Sequence, residues 1–540
     1  MNRLLTLVAL VSLNSCFAQP KNSSLVQKNA ENKLVVGIVV DQMRYEYLNR
    51  FADRYSEGGF KRLMSQGFNC KNNHYHYAST VTGPGHAHVY SGSVPAVSGI
   101  VGNEWFEKIS GQGMYVASDS TASVVGEGSD RAGKMSPKNL KVTSITDQLR
   151  MATQFGSKVI GVAIKDRGAI MPAGHTGTAY WFDSSTGNWI SSTHYMDVLP
   201  EWATKFNNAD KAEAYASLTW NTLYDIETYT ASEEDDQPYE NTISGETKAV
   251  FPHSIKLGSL ASTPWGNTLT LDFALEAMKS ENLGRGKYTD FLAISFSSPD
   301  YAGHAFGPQS VEIEDIYLRL DQEIARLLNE LDAQVGEGNY TVFLTADHAV
   351  ADIPAYLMKN KIPGGLFIGR EFQNKVEALL DQEFGDGDWI RAVDNYQIYL
   401  NRNLMSEKDV DLEDVFEYLQ PILTLEEGVY NLVNLAEGEL GGVPPFYQSL
   451  LQNLYNPKRT GELMILVEPG WFHGYNKGTT HGTMWAYDTH VPLLWYGYGI
   501  ANGETVKPTY ISDIAATLSQ LLGIQEPNGS VGKPIEEVLK

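Results

Sequence analysis

Cysteine is nearly absent. The chain holds only Cys16 and Cys70, and Cys16 falls inside a leader-like segment, so the remainder has no partner for a disulfide and must rest on its core and on any bound metal. Cys70 has no basic cluster beside it in Phe68-Asn69-Cys70-Lys71 and reads as a buried structural thiol. Basic charge is scarce too: 41 Lys+Arg face 65 Asp+Glu, a formal charge of −24. No Lys/Arg run forms the face needed to neutralise a phosphate backbone, which excludes nucleic acid as a partner. An anionic substrate must therefore be held by local positive charge. Long apolar runs are also missing. Leu4 to Leu13 is too short to span a bilayer, and no later segment is long and apolar enough to do so.

Arg3, the apolar run Leu4 to Leu13 and the small residues after it read as an export signal over 1–18, cleaved after Ala18. Leu13-Asn14-Ser15-Cys16 also resembles a bacterial lipoprotein box, which makes Cys16 a candidate lipid anchor. The expected location is periplasmic or secreted, with an outer-membrane lipoprotein as the variant.

The 42% hydrophobic fraction suits a large globular core. Leu34 to Val40 is a continuous β-branched run ending at Asp41, the signature of a central parallel strand covered on both faces. Val159 to Ile164 leads into Lys165 and Arg167, Phe291 to Phe296 into Asp300, and Tyr340 to Leu344 into Asp347-His348. Each run thus delivers polar groups at its C-terminal end, the edge where open α/β sheets bind ligands. Val311 to Leu331 carries Ile316, Leu320, Ile324, Leu327 and Leu331 at helical spacing and predicts a crossover helix. The expected fold is α/β, a mostly parallel sheet flanked by helices. Residues 19–540 form one catalytic domain in this reading, with cap insertions near 173–252 and 354–476. The acidic run Glu233 to Asp236 reads as a solvated loop.

Asp41, Asp300, His304, Asp347 and His348 follow strands, and His481 lies in Gly478-Thr479-Thr480-His481-Gly482 before the apolar run Val491 to Tyr496. Three aspartates and three histidines suit two zinc ions that each keep an open position. Singly, each has a blander role as a cap or structural histidine. Thr82, before Gly83-Pro84-Gly85, is expected at a helix start, where backbone N–H groups favour an anion. It is a candidate nucleophile if a metal activates it, and otherwise a plain N-cap. Lys165 and Arg167, one residue apart, are expected to point to one side of an extended segment. His86 reads as a structural hydrogen bonder, and His74, His76, His473 and His490 as packing or surface residues. His490 is the main rival of His481 as a ligand.

Asp41, Thr82-Gly83-Pro84-Gly85-His86, Gly102-Asn103, Lys165-Asp166-Arg167, Asp300-Tyr301-Ala302-Gly303-His304, Ala346-Asp347-His348 and Thr480-His481-Gly482 together resemble the alkaline phosphatase superfamily. Within it the likeness is to threonine-nucleophile monoesterases of the PafA type found in Bacteroidetes, from about residue 34 to the C-terminus. The resemblance implies one zinc on Asp300, His304 and His481 and a second on Asp41, Asp347 and His348 with Thr82. It implies that Thr82 becomes phosphorylated, while Asn103, Lys165 and Arg167 bind the phosphoryl oxygens of small-molecule phosphate monoesters. The Lys-x-Arg pair with Asn marks monoesterases in this family, and related diesterases lack the pair. A nucleotide pyrophosphatase/phosphodiesterase is the enzymatic alternative. The alternative of another class is an exported binding protein that captures phosphate esters or glycans through the Trp-rich insertion. An arylsulfatase is disfavoured because Cys70 lacks the Pro that formylglycine formation needs two residues on.

Overall fold

The computed structural model describes residues 31–243, 245–474 and 476–540; the export-signal reading over 1–18 and the lipid-anchor reading at Cys16 lie outside the described residues. Strand Leu34–Val40 is buried along its whole length. It pairs in parallel with Asp290–Phe296 on one side and Tyr340–Thr345 on the other. Val159–Ala163 and Thr178–Asp183 extend the parallel set beyond Asp290–Phe296. A run with no polar alternation forms the centre because both faces are covered by helices. Antiparallel strands complete the ten-stranded sheet at its two flanks, among them Leu493–Gly497 beside Tyr340–Thr345 and Asn188–Ser192 beside Thr178–Asp183. The mostly parallel α/β expectation therefore holds for the core of the sheet.

The crossover helix spans Val311–Gln334, and Ser310 caps it by accepting from Ile313 N at 3.2 Å. Its stripe of Ile316, Leu320, Ile324, Leu327 and Leu331 is fully buried, as the spacing requires. Helix Thr82–Ser91 lies on the other face, directly over the central strand. A Cβ on Gly37 would stand 2.5 Å from Tyr90 Oη and 2.6 Å from Phe343 Cζ, so only glycine permits that approach.

The segment near 173–252 differs from its reading as an insertion. Its strands Thr178–Asp183 and Asn188–Ser192 belong to the main sheet, because the chain turns back along the sheet edge before leaving it. Trp181, Trp189 and Trp220 are buried, with Trp189 stacked on Phe273 at 4.4 Å, so these rings fill core rather than form a capture surface. The acidic run is only partly solvated: Asp235 accepts from Phe251 N at 2.9 Å, and Glu233 pairs with Lys359. The segment near 354–476 carries its own four-stranded antiparallel sheet of Ile390–Asp394, Gln397–Leu400, Leu463–Val467 and Val429–Asn434, packed against helices Gly369–Phe384, Leu412–Leu423 and Pro445–Leu454. Cys70 is buried, and that burial pushes its thiol up to about 12, an inert group.

Candidate active site

Three parallel strands end at one place. Asp41 follows Leu34–Val40, Asp347 and His348 follow Tyr340–Thr345, and helix Ser298–Phe306 after Asp290–Phe296 presents Asp300 and His304 one turn apart. His481 arrives from the loop before Leu493–Gly497. The result is two trios, Asp300 with His304 and His481, and Asp41 with Asp347 and His348, each with one donor atom per residue within 4.8 Å of the others.

Each histidine is oriented by a backbone carbonyl. His304 Nδ1 donates to Thr479 O at 2.8 Å, His348 Nδ1 to Ala349 O at 2.9 Å and His481 Nδ1 to Thr80 O at 2.7 Å. A carbonyl can only accept, so Nδ1 carries the proton and Nε2 turns inward. His304 Nε2 lies 3.1 Å and His481 Nε2 3.5 Å from Asp300 Oδ1. His348 Nε2 lies 3.5 Å from both Asp41 Oδ1 and Asp347 Oδ2.

The charge balance points to cations. Burial, with Asp300 adjacent, pushes the Asp41 carboxyl up to about 6. Burial, with Asp41 beside it, pushes Asp347 well above the usual carboxylate range. Burial acts the same way on Asp300, but His304 and Lys165 overcome it and hold that group low. Burial lowers His348 and His481, leaving them neutral. Asp41 Oδ1 and Asp347 Oδ2 are buried without a hydrogen bond. Inward imidazole nitrogens facing unsatisfied carboxylate oxygens form the mixed N/O donor set that zinc-like divalent ions take, so the residues fit such a group.

Thr82 opens helix Thr82–Ser91, and its hydroxyl is not used as a cap; Val81 occupies the N-cap position. Its Oγ1 is 3.5 Å from His348 Nε2, from Lys165 Nζ and from Arg167 Nη2. Asn103 Oδ1 accepts from Gly83 N at 2.7 Å, which fixes the amide next to Thr82 and leaves its NH₂ as donor. The extended segment expected across Lys165 and Arg167 does not occur. Lys165 is the N-cap of helix Asp166–Ala173, so both cations reach Thr82 around a helix start instead of along one strand face. Burial opposes the Lys165 charge, but Asp300 and Asp41 outweigh it and keep the ammonium protonated.

The other histidines fall where packing needs them. His86 bridges Thr82 O at 3.0 Å and Ser295 Oγ at 2.8 Å. His490 stacks between Tyr45 and His74 and bonds Lys71 O, outside both trios. His473 is exposed at a cavity of about 500 Å3 that opens over His304, His481 and Asn103 and is walled by Phe367, Arg370 and Tyr396 of the 354–476 segment. Gln42 was not legible in the sequence. Its side chain donates to Asp300 Oδ1 at 2.7 Å and its backbone N–H to Asp347 Oδ1 at 3.1 Å, joining the two trios. Only its place after Asp41 could have drawn attention to it.

A family model described as type I phosphodiesterase / nucleotide pyrophosphatase matches residues 35–493. The chain is 45% identical over 526 residues to a protein of Myroides odoratus named calcium-transporting ATPase, covering 95% of this chain and 96% of that one. It is 44% identical over 545 residues to alkaline phosphatase PhoV of Synechococcus elongatus, covering 99% and 98%. Alkaline phosphatase PafA of Elizabethkingia meningoseptica is 43% identical over 516 residues, 94% of each chain. A crystal structure of wild-type PafA matches with a TM-score of 0.92, covering 94% of this chain and 99% of that one. Among the described residues no helix is long and apolar enough to cross a membrane.

Proposed function

The chain belongs to the type I phosphodiesterase / nucleotide pyrophosphatase family of the alkaline phosphatase superfamily, and on that premise we propose that it hydrolyses small-molecule phosphate monoesters through a phosphothreonine at Thr82. The observation that carries this reading is the convergence of Lys165 Nζ and Arg167 Nη2, each 3.5 Å from Thr82 Oγ1. A monoester brings about two negative charges to the phosphoryl oxygens, and two fixed cations beside the nucleophile match them. A diester has one charge fewer and an organic group in that space, so the same pair counts against the phosphodiesterase reading.

Asp300, His304 and His481 would hold one zinc and Asp41, Asp347 and His348 the other. When bound, these ions supply Lewis acidity that lowers hydroxyl pKa values and stabilises the leaving oxygen. The chain's own groups do the rest. Thr82 Oγ1 bonds to phosphorus as the ester P–O bond breaks, and its proton ends on the departing alcohol. Water then attacks phosphorus, the Thr82 oxygen leaves and regains a proton, and inorganic phosphate is released. Through both steps Asn103, Lys165 and Arg167 hold the non-bridging oxygens, and the first-turn N–H groups of the Thr82 helix add positive potential. The export-signal reading of residues 1–18 puts this activity in the periplasm or outside the cell, with Cys16 as the candidate lipid attachment point.

Thr82→Ala tests the proposal. Turnover of an aryl phosphate should vanish while inorganic phosphate still binds, and acid-quenched wild-type protein should carry phosphate on the Thr82 peptide. Full activity in the alanine variant would end the nucleophile assignment.

A further inference from the structure

The Arg167 guanidinium is tied at one corner. Its Nη1 donates to Tyr115 Oη at 3.2 Å. Tyr115 gives its own proton to Asp166 Oδ1, the oxygen that also accepts the Arg167 backbone N–H at 2.6 Å. A phenol has one proton, so with that proton on Asp166 only lone pairs face Arg167, and the direction of the ring of hydrogen bonds is set. The opposite edge of the guanidinium is turned to the nucleophile. Nη2 is 3.5 Å from Thr82 Oγ1, and Nε is buried without a hydrogen-bond partner. Two adjacent N–H groups on one planar edge can grip two oxygens of a single phosphoryl group.

One hairpin supplies this arrangement. Strands Glu104–Glu107 and Gln112–Tyr115 pair antiparallel with Glu104 opposite Tyr115, and Val116 N donates to Asn103 O at 2.9 Å. Asn103 therefore enters the hairpin and Tyr115 leaves it, so a single element places both the amide donor and the anchor of the guanidinium.

We infer that Tyr115 is a positioning residue for Arg167, which with Asp166 holds the Nε–Nη2 edge toward the substrate's non-bridging oxygens; the inference rests on the monoesterase reading. A purely structural tyrosine would matter equally with or without Arg167. The test compares Tyr115→Phe in the wild-type and Arg167→Ala backgrounds of the metal-loaded protein. Two readouts are taken, kcat/KM for an aryl phosphate monoester and the affinity for inorganic phosphate by calorimetry. In the wild-type background each should fall roughly tenfold, the worth of a hydrogen bond to a charged group. In the Arg167→Ala background each should change by less than about twofold, as expected for coupled residues. Equal losses in both backgrounds, or no loss in either, would overturn the inference. Should the phenylalanine variant not fold, Asp166→Asn, which weakens the acceptor of the phenol proton, is judged by the same comparison. If the protein binds phosphate with this coupling but turns over no monoester, the positioning role stands and the monoesterase reading falls.

Discussion

Lys165 Nζ lies 2.5 Å from Asp300 Oδ2, and the same ammonium is 2.7 Å from Asp41 Oδ2, so one cation bridges a carboxylate of each trio. Removing a partner from a buried pair leaves an uncompensated charge, at a cost of about 3–5 kcal/mol. Bound metal would neutralise the same carboxylates. Lys165→Ala should therefore lower unfolding free energy by about that amount in metal-stripped protein and by clearly less in loaded protein. Urea unfolding of the four samples measures this, and equal losses would contradict it.

Metal content should be two ions per chain, and the trios should empty separately. His304→Ala is expected to lose one ion and His348→Ala the other, read by elemental analysis of the purified variants. Chelation should abolish activity and lower the unfolding midpoint, since a ligand at a hundred times its Kd contributes about 2.7 kcal/mol. Activity that survives thorough chelation would refute the metal assignment.

Discrimination between ester classes should sit on Lys165 and Arg167. Removing either is expected to slow a monoester roughly a hundredfold, as loss of a preorganised donor does. A diester, with less charge to match, should lose far less. Parallel kinetics on the two aryl esters decide it, and equal losses would remove these residues from the selectivity argument.

The central strands and the trio residues that follow them could be read from the sequence for one physical reason, whereas His481 is favoured over His490 only by the Thr-His-Gly context of the family resemblance. A strand buried on both faces cannot alternate, so Leu34–Val40 and Tyr340–Thr345 announce themselves, and the polar residue that ends each run is Asp41 or nearly Asp347. Gln42, Tyr115 and Asp166 carry no such mark. Their importance arises from hydrogen bonds to groups distant in sequence, as in Gln42 to Asp300, and local pattern holds no trace of these. The boundary of the first insertion was misplaced for a related reason. Thr178–Asp183 and Asn188–Ser192 hold mixed aromatic and polar residues, which resemble loop sequence until the pairing is known.

Alkaline conditions should act on Glu240. Burial, with Glu312 beside it, holds its carboxyl well above the usual range. Between the ordinary glutamate pKa and the raised one, the folded chain binds a proton that the unfolded chain has released, so stability falls as pH rises. Glu240→Gln removes that penalty. Its unfolding free energy should exceed wild type by about 1–3 kcal/mol near pH 9, and the difference should shrink near pH 5. A constant difference across pH would show that Glu240 does not titrate this way.

The glycine before His86 should not tolerate a methyl group. A Cβ on Gly85 would lie 2.2 Å from Asp347 O and 2.7 Å from Asp347 Cβ. Gly85→Ala must push the Thr82 helix off the loop that carries two trio residues. We expect a stability loss of about 1–3 kcal/mol, as for other overpacked sites, with a larger fall in kcat than in phosphate affinity. Thermal unfolding and steady-state kinetics together check both parts.

Gly37 contributes no polar atom and no surface, yet the hydroxyl of Tyr90 and the ring of Phe343 rest where its side chain would be. The seat of the Thr82 helix above the sheet thus depends on a vacancy of one methyl group in the middle of the floor. A bulkier residue there must displace the side chains of Tyr90 and Phe343, and whatever part of that shift the helix absorbs reaches Thr82 from below.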